Sequence, residues 1–366
     1  MGNTAFIWRL VRLMACLSFV FGLPFLAGCA AEQTEKFPRL TWPPPPDTTR
    51  IEFLRDISSD KDLYAATSVT QSVVDFVAGS TPLPNHIIEP MGIAVSDDGN
   101  TLYVSDTALQ QVLIFNFAQK TFSTFDGFAH PLGLALDGQQ NLYVVDQVKR
   151  GVSVRDPSGK EIRFITDKSL IRPTGIALDR TRGKFYVVDT ANVKVDEHNV
   201  KVFSLDGALL GHVGSGYGPQ EGGLMYATYC ALDAEGNLYV GDTVNNRVEV
   251  FDPNGKYLRT VGSGGDTPGH FGRAKGVAID TLGDLYVVDS AWSNVQIFNR
   301  NGQPLMFFAD RGPMPGLLRN PTAIAIDKNN HIYVGDLIDH RVEEYQLVNT
   351  VLADTLGGPL TTAVSN

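Results

Sequence analysis

Asn237-Leu238-Tyr239-Val240-Gly241-Asp242 is one of six near-identical stretches, each lying after an apolar run that ends in Asp and before a short turn. The others are Thr101-Leu102-Tyr103-Val104-Ser105-Asp106, Asn141-Leu142-Tyr143-Val144-Val145-Asp146, Lys184-Phe185-Tyr186-Val187-Val188-Asp189, Asp284-Leu285-Tyr286-Val287-Val288-Asp289 and His331-Ile332-Tyr333-Val334-Gly335-Asp336. Their final aspartates are spaced 40, 43, 53, 47 and 47 residues apart. A repeat of this period marks a supersecondary unit that buries its apolar faces only against its own neighbours.

Working outward from each stretch gives one pattern. It reads Pro-x-Gly, an Ile-Ala-Val-like run, a turn, the Leu-Tyr-Val-x-Asp run, a second turn, a Val-x-Val-Phe-like run, a third turn and a fourth apolar run. Four short strands per unit is the content of a propeller blade, so the chain is expected to be an all-β, six-bladed β-propeller. The copies start at Pro90, Pro131, Pro173, Ala227, Ala274 and Pro321. Ala94, Ala135, Ala177, Ala231, Ala278 and Ala325 share one position in the first strand, where strands converging on an axis need small side chains. Turns such as Asp97-Asp98-Gly99-Asn100 and Pro253-Asn254-Gly255-Lys256 place Gly or Asn where a hairpin needs positive φ. The last copy ends at Gln346-Leu347-Val348 with three strands, and residues 72–79 (Ser-Val-Val-Asp-Phe-Val-Ala-Gly) resemble a fourth strand. The expectation is that this N-terminal strand completes the sixth blade and closes the ring, leaving no free edge. Arg50 to Leu54 also reads as a strand, without an assigned place.

The chain has 366 residues, 43% hydrophobic content and 36 glycines, enough for one large all-β unit of residues 50–348. Net charge is −10, and removal of residues 1–28 takes away Arg9 and Arg12, leaving 28 basic against 40 acidic residues. A nucleic-acid role is excluded by that balance, since phosphate binding requires a basic face. The three cysteines, Cys16, Cys29 and Cys230, provide no disulfide framework. Cys230 lies in an apolar strand and reads as a buried small hydrophobe.

Residues 1–12 carry only positive charge and residues 13–25 are almost wholly apolar, the layout of a secretory signal peptide spanning 1–28. Its end, Leu26-Ala27-Gly28-Cys29, resembles the lipobox of bacterial lipoproteins, which implies acylation at Cys29 and a lipid-anchored place in the cell envelope. Ala30 after the cysteine points to the outer membrane, with the propeller on the periplasmic side. An ordinary cleavage site with an incidental cysteine is the competing reading. Residues 29–49 include Trp42-Pro43-Pro44-Pro45-Pro46 and read as an anchor and extended spacer, or alternatively as a docking motif for a proline-binding module. Residues 349–366 show no periodicity and are expected to be a loose tail.

The Pro-x-Gly-[Ile/Val/Leu]-Ala-[Val/Ile/Leu]-Asp and Leu-Tyr-Val-x-Asp patterns, with Arg247-Val248-Glu249-Val250-Phe251, resemble NHL repeats over about residues 90–348. NHL propellers serve as enzymes, RNA binders and scaffolds, so the resemblance implies the fold and leaves the function open. In the family's zinc lyases a histidine stands at the x of Pro-x-Gly. Here those positions hold Met91, Leu132, Thr174, Thr228, Lys275 and Thr322, which disfavours a zinc lyase. Lactonase-type propellers hold calcium with Glu, Asn and Asp, which the acidic loops of this chain leave open.

The six Tyr-Val-x-Asp aspartates occur in every copy and are expected to accept turn N–H groups rather than to form a metal ring. Function is sought where copies differ at one geometric position, and the residue before Pro-x-Gly is such a place. Glu89, His130, Arg172, Tyr226, Arg273 and Asn320 form this candidate ligand or partner ring, against the alternative of solvated loop residues. Arg172, Tyr226 and Arg273 together would suit a carboxylate or an acidic loop. The insertion Asn192–Asn199 is a further recognition-loop candidate. Two functional readings stand: a membrane-anchored, non-catalytic binding or scaffold module for an envelope protein, and a propeller hydrolase or lyase with a divalent ion such as calcium in the channel.

Overall fold

The computed structural model describes residues 40–64, 85–191 and 198–349. The signal peptide, Cys29, the strand expected at 72–79, most of the 192–199 insertion and residues 350–366 lie outside the described residues. Six antiparallel sheets are arranged as a six-bladed β-propeller. In the first blade the strands run Pro90–Val95, Thr101–Asp106, Gln111–Asn116 and Thr121–Phe125, in order from the axis outward. Blades two to five repeat that order, their inner strands being Pro131–Leu136, Pro173–Asp179, Ala227–Leu232 and Ala274–Ile279. Blade six begins with Pro321–Ile326. Successive inner strands touch all the way round, the sixth against the first.

The alternation of side chains explains the repeat. The alanines Ala94, Ala135, Ala177, Ala231, Ala278 and Ala325 pair across the sheet with Tyr103, Tyr143, Tyr186, Tyr239, Tyr286 and Tyr333. A ring-sized residue on the second strand therefore faces a methyl group on the first, which allows the inner strands to converge. Six apolar clusters fill the spaces between neighbouring blades. Cys230 is buried within the cluster between blades three and four, and burial pushes its thiol pKa up, as expected of an inert small hydrophobe.

Glycine at the third position of Pro-x-Gly has a steric cause. A Cβ on Gly92 would stand 2.0 Å from the Leu132 carbonyl oxygen, and one on Gly133 would stand 2.7 Å from that of Thr174. The inner strands of blades one, two, three and five thus meet their neighbour's backbone where only hydrogen fits.

An N-terminal strand closes the ring as expected, but it is a different strand. The strand paired with Arg341–Leu347 is Ile51–Ile57, and it fills the outermost main position of blade six. Both strands have seven residues, and Ile51 and Ile57 are fully buried at either end. The place expected for residues 72–79 is thus taken by Ile51–Ile57. The N-terminal strand goes on into a short 3-10 helix, Asp60–Leu63, whose Leu63 joins the cluster between blades six and one. Asp62 accepts the backbone N–H groups of Ser58 and Ser59 at 2.8 Å.

Trp42 also departs from the spacer reading. Thr41–Trp42 pairs with Ile51 and Glu52, adding a fifth strand to blade six. The indole packs on Tyr345 and Phe308 at ring-centroid distances of 5.8 and 6.1 Å. The polyproline turn that follows thus belongs to the folded blade. The start of the closing strand meets the end of the last strand here, with Arg50 Nη1 donating to the Asn349 carbonyl at 2.7 Å.

Candidate partner-binding face

Chain direction assigns one end of the ring, here called the top, to the turns after second strands and the loops leading into inner strands. The Tyr-Val-x-Asp aspartates end the second strands on this side, all six buried. Each accepts N–H groups from the loop before its inner strand as well as from its own turn. Asp289 takes those of Gly272, Arg273, Ala291 and Trp292 at 2.7 to 3.2 Å. Asp336 does the same for Arg319, Asn320, Ile338 and Asp339. The aspartates are structural clamps, wider in reach than the following turn alone.

That clamp fixes the backbones of the candidate ring. Glu89, His130, Arg172, Arg273 and Asn320 each donate an N–H to the aspartate of their blade. Their carbonyls accept the N–H of Thr107, Gln147, Thr190, Ser290 and Leu337. These five occupy one geometric position on the top face. Tyr226 is displaced from the set. In blade four Met225 makes the bond to Asp242, and Tyr226 has φ +54° with its ring 5.3 Å from that of His198. Glu89 accepts the Thr107 hydroxyl at 2.7 Å, whereas the Arg172 and Arg273 side chains are exposed and make no ion pair or hydrogen bond among the described residues.

The axis itself is filled. Blade four carries Tyr229 where blades one, two, three and five carry glycine, and its hydroxyl donates to the Met91 carbonyl at 2.6 Å. Blades four and one are opposite in a ring of six, so this side chain crosses the axis. It packs against the clusters between blades four and five and between blades six and one, and burial drives its phenol pKa upward. Sequence reasoning missed Tyr229, although its departure from Pro-x-Gly was in view.

At the opposite, bottom end Arg180 of blade three donates twice to the Leu136 carbonyl of blade two and twice to Asp97 of blade one. Lys328 of blade six meets the same carboxylate at 3.0 Å. Four blades are thereby bridged below Tyr229.

Lys275, also missed, stands at the x position of blade five, half-buried beside the axis. Burial and then the nearby Arg273 charge hold its amine pKa below the usual lysine range. Outside this centre the top turns carry exposed apolar side chains, among the described residues Leu109, Val148, Val244, Trp292 and Ile338 of blades one, two, four, five and six. Val148 is 65% and Trp292 46% exposed. Among the described residues no group of three or more His, Cys, Asp or Glu is placed to hold a metal ion.

No family model and no curated protein matches the chain. Solved structures do. A gluconolactonase from Xanthomonas campestris is 19% identical over 81% of this chain and 98% of its own, with a TM-score of 0.58. A protein of unknown function from Bacteroides thetaiotaomicron is 16% identical over 71% of this chain and 70% of its own, with a TM-score of 0.57. Virginiamycin B lyase from Staphylococcus aureus is 14% identical over 72% of this chain and 97% of its own, with a TM-score of 0.53. Identities this low speak for the propeller fold alone.

Proposed function

We propose that the protein is an NHL-type propeller lipoprotein, anchored through Cys29 to the bacterial outer membrane, whose top face is a non-catalytic docking module for another envelope protein. The observation that carries this reading is Tyr229. A divalent ion on the axis, as the enzyme reading requires, would have to displace a tyrosine that bonds the opposite blade at 2.6 Å and packs into two interblade clusters. The exposed chemistry lies instead on the top rim, where large apolar side chains recur from blade to blade around polar loop residues. Such an apolar rim is the composition of a protein-recognition surface, whereas catalysis calls for converging polar groups in a closed concavity.

The test is partner capture from detergent-solubilised envelope by the full chain and by a Val148→Asp/Trp292→Asp variant. Val148 is well exposed, whereas the half-exposed Trp292 donates its Nε1–H to the Gly265 carbonyl at 3.2 Å, so the variant should melt lower by about 1 kcal/mol while staying folded. Loss of the captured protein with folding intact is expected. Equal recovery by parent and variant would overturn the reading.

A further inference from the structure

We propose that the centre of the top face is a carboxylate receptor anchored by the Lys275 amine, and that its ligand is an acidic segment of the docked partner protein. The inference rests on the docking reading above and adds the chemistry of what is docked.

The x positions of the six inner strands supply five neutral side chains and one cation. Three of the neutral ones have hydroxyls already used by the protein: Thr174 donates to the Val188 carbonyl at 3.3 Å, Thr322 to that of Pro90 at 2.9 Å, and Thr228 bonds Thr243 at 2.9 Å. Lys275 makes no hydrogen bond or ion pair among the described residues, although it is half-buried and sits in a chain with a net charge of −10. Arg273 lies two residues upstream, also unpaired, so two like charges stand together on one strand approach.

The bottom mouth shows the contrast. There Arg180 and Lys328 share the Asp97 carboxylate, and the cations are neutralised within the protein. Partial burial of an ammonium without a counter-ion costs free energy, and an incoming anion offsets that cost. Tyr229 floors the axis below, so a ligand reaches this amine from the top side, past the apolar turns. An acidic side chain flanked by apolar residues matches both features: the carboxylate meets Lys275 and Arg273, and the flanks meet the rim.

The experiment measures binding of a fluorescent, N-acetylated Leu-Glu-Glu-Leu peptide to the full chain in detergent, with inorganic phosphate as competitor. Saturable binding is expected, weakened at least tenfold in Lys275→Met, partly restored in Lys275→Arg and diminished by 0.5 M salt. Lys275→Met should melt no lower than the parent, because it removes a desolvated charge, and Arg273→Ala gives a second, exposed probe. Equal peptide binding by parent and Lys275→Met, or absence of peptide binding, would overturn the proposal. Phosphate competing at equal or lower concentration than a free carboxylate such as glutarate would also overturn it, by making the site an oxyanion receptor of another kind. Loss of partner capture in Val148→Asp/Trp292→Asp with unchanged capture in Lys275→Met would leave the docking face standing while the receptor falls.

Discussion

A carboxylate present once in every blade is explained by what every blade needs, and Asp289 shows the size of that need. Four backbone N–H groups converge on it in a fully buried place, so Asp289→Ala leaves several donors unpaired. The expected loss is about 2–4 kcal/mol in urea unfolding, with Asp289→Asn in between. The third strands hold a second class of buried acid. Glu249 is paired with Arg247 at 2.7 Å and Glu343 with Arg341 at 2.6 Å, on strands that hold the long loops leading into blades four and six. Burial outweighs the arginine charges and raises their pKa values to about 7 and about 8. Since these exceed the unfolded value near 4.5, the folded state binds more protons. Stability from the two groups is thus full below about pH 4.5 and is lost as pH rises through about 7 and 8. Blade five has Gln296 at the equivalent place, accepting from Gly269 at 2.9 Å and donating to His270 at 2.7 Å, so an amide fits. Glu249→Gln/Glu343→Gln should flatten the decline of melting temperature between pH 5 and 8; an unaltered slope would refute the assignment. Tyr229→Gly, which restores the glycine of blades one, two, three and five, should cost about 3–5 kcal/mol by emptying the axis, and Tyr229→Phe about 1 kcal/mol.

Among the elements, the strand Ile51–Ile57 has the largest individual consequence, because it alone closes blade six. A chain beginning at Leu40 should unfold at the parental urea midpoint. One beginning at Ser58 should lose several kcal/mol or aggregate, since Arg341–Leu347 becomes an open edge and Trp42, Ile51 and Phe53 leave the aromatic cluster around Tyr345. The need for such a closing strand was legible in the last repeat, which ends one strand short. Its identity was not, because residues 72–79 are the more apolar and β-branched stretch, whereas Ile51–Ile57 carries Glu52, Arg55 and Asp56 and shows its fitness only in the burial of Ile51 and Ile57 at its two ends. Trp42 was hidden by the prolines after it, whose stiffness suggests a spacer whatever the preceding ring packs against. The Ala–Tyr pairing of inner and second strands was fully readable from period alone. Tyr229 and Lys275 were not read as functional, since both signals consist of a departure at one copy: a lost glycine, and a charge at a position inspected for imidazole.

At the scale of the whole molecule, the proposed lipid anchor and the docking face can be separated by experiment. Cys29→Ser should move the protein from the membrane fraction to the soluble or precursor fraction while peptide binding by the propeller is retained. Intact-mass analysis should find acyl chains on the parent only, and an unmodified Cys29 in membrane-extracted protein would end the lipoprotein reading. Tyr229 across the axis and Arg180 across the bottom mouth tie opposite and neighbouring blades together, so the ring is braced from within as well as round its circumference. The contact between Arg50 and Asn349 has a consequence of another kind. The start of the closing strand and the end of the ring are neighbours, so a circular permutant with residues 50 and 349 joined and the ring opened at a different blade turn keeps every strand pair of the six blades except that of Thr41–Trp42. What the natural starting point fixes is wiring, namely which blade hands the chain over to whatever precedes it.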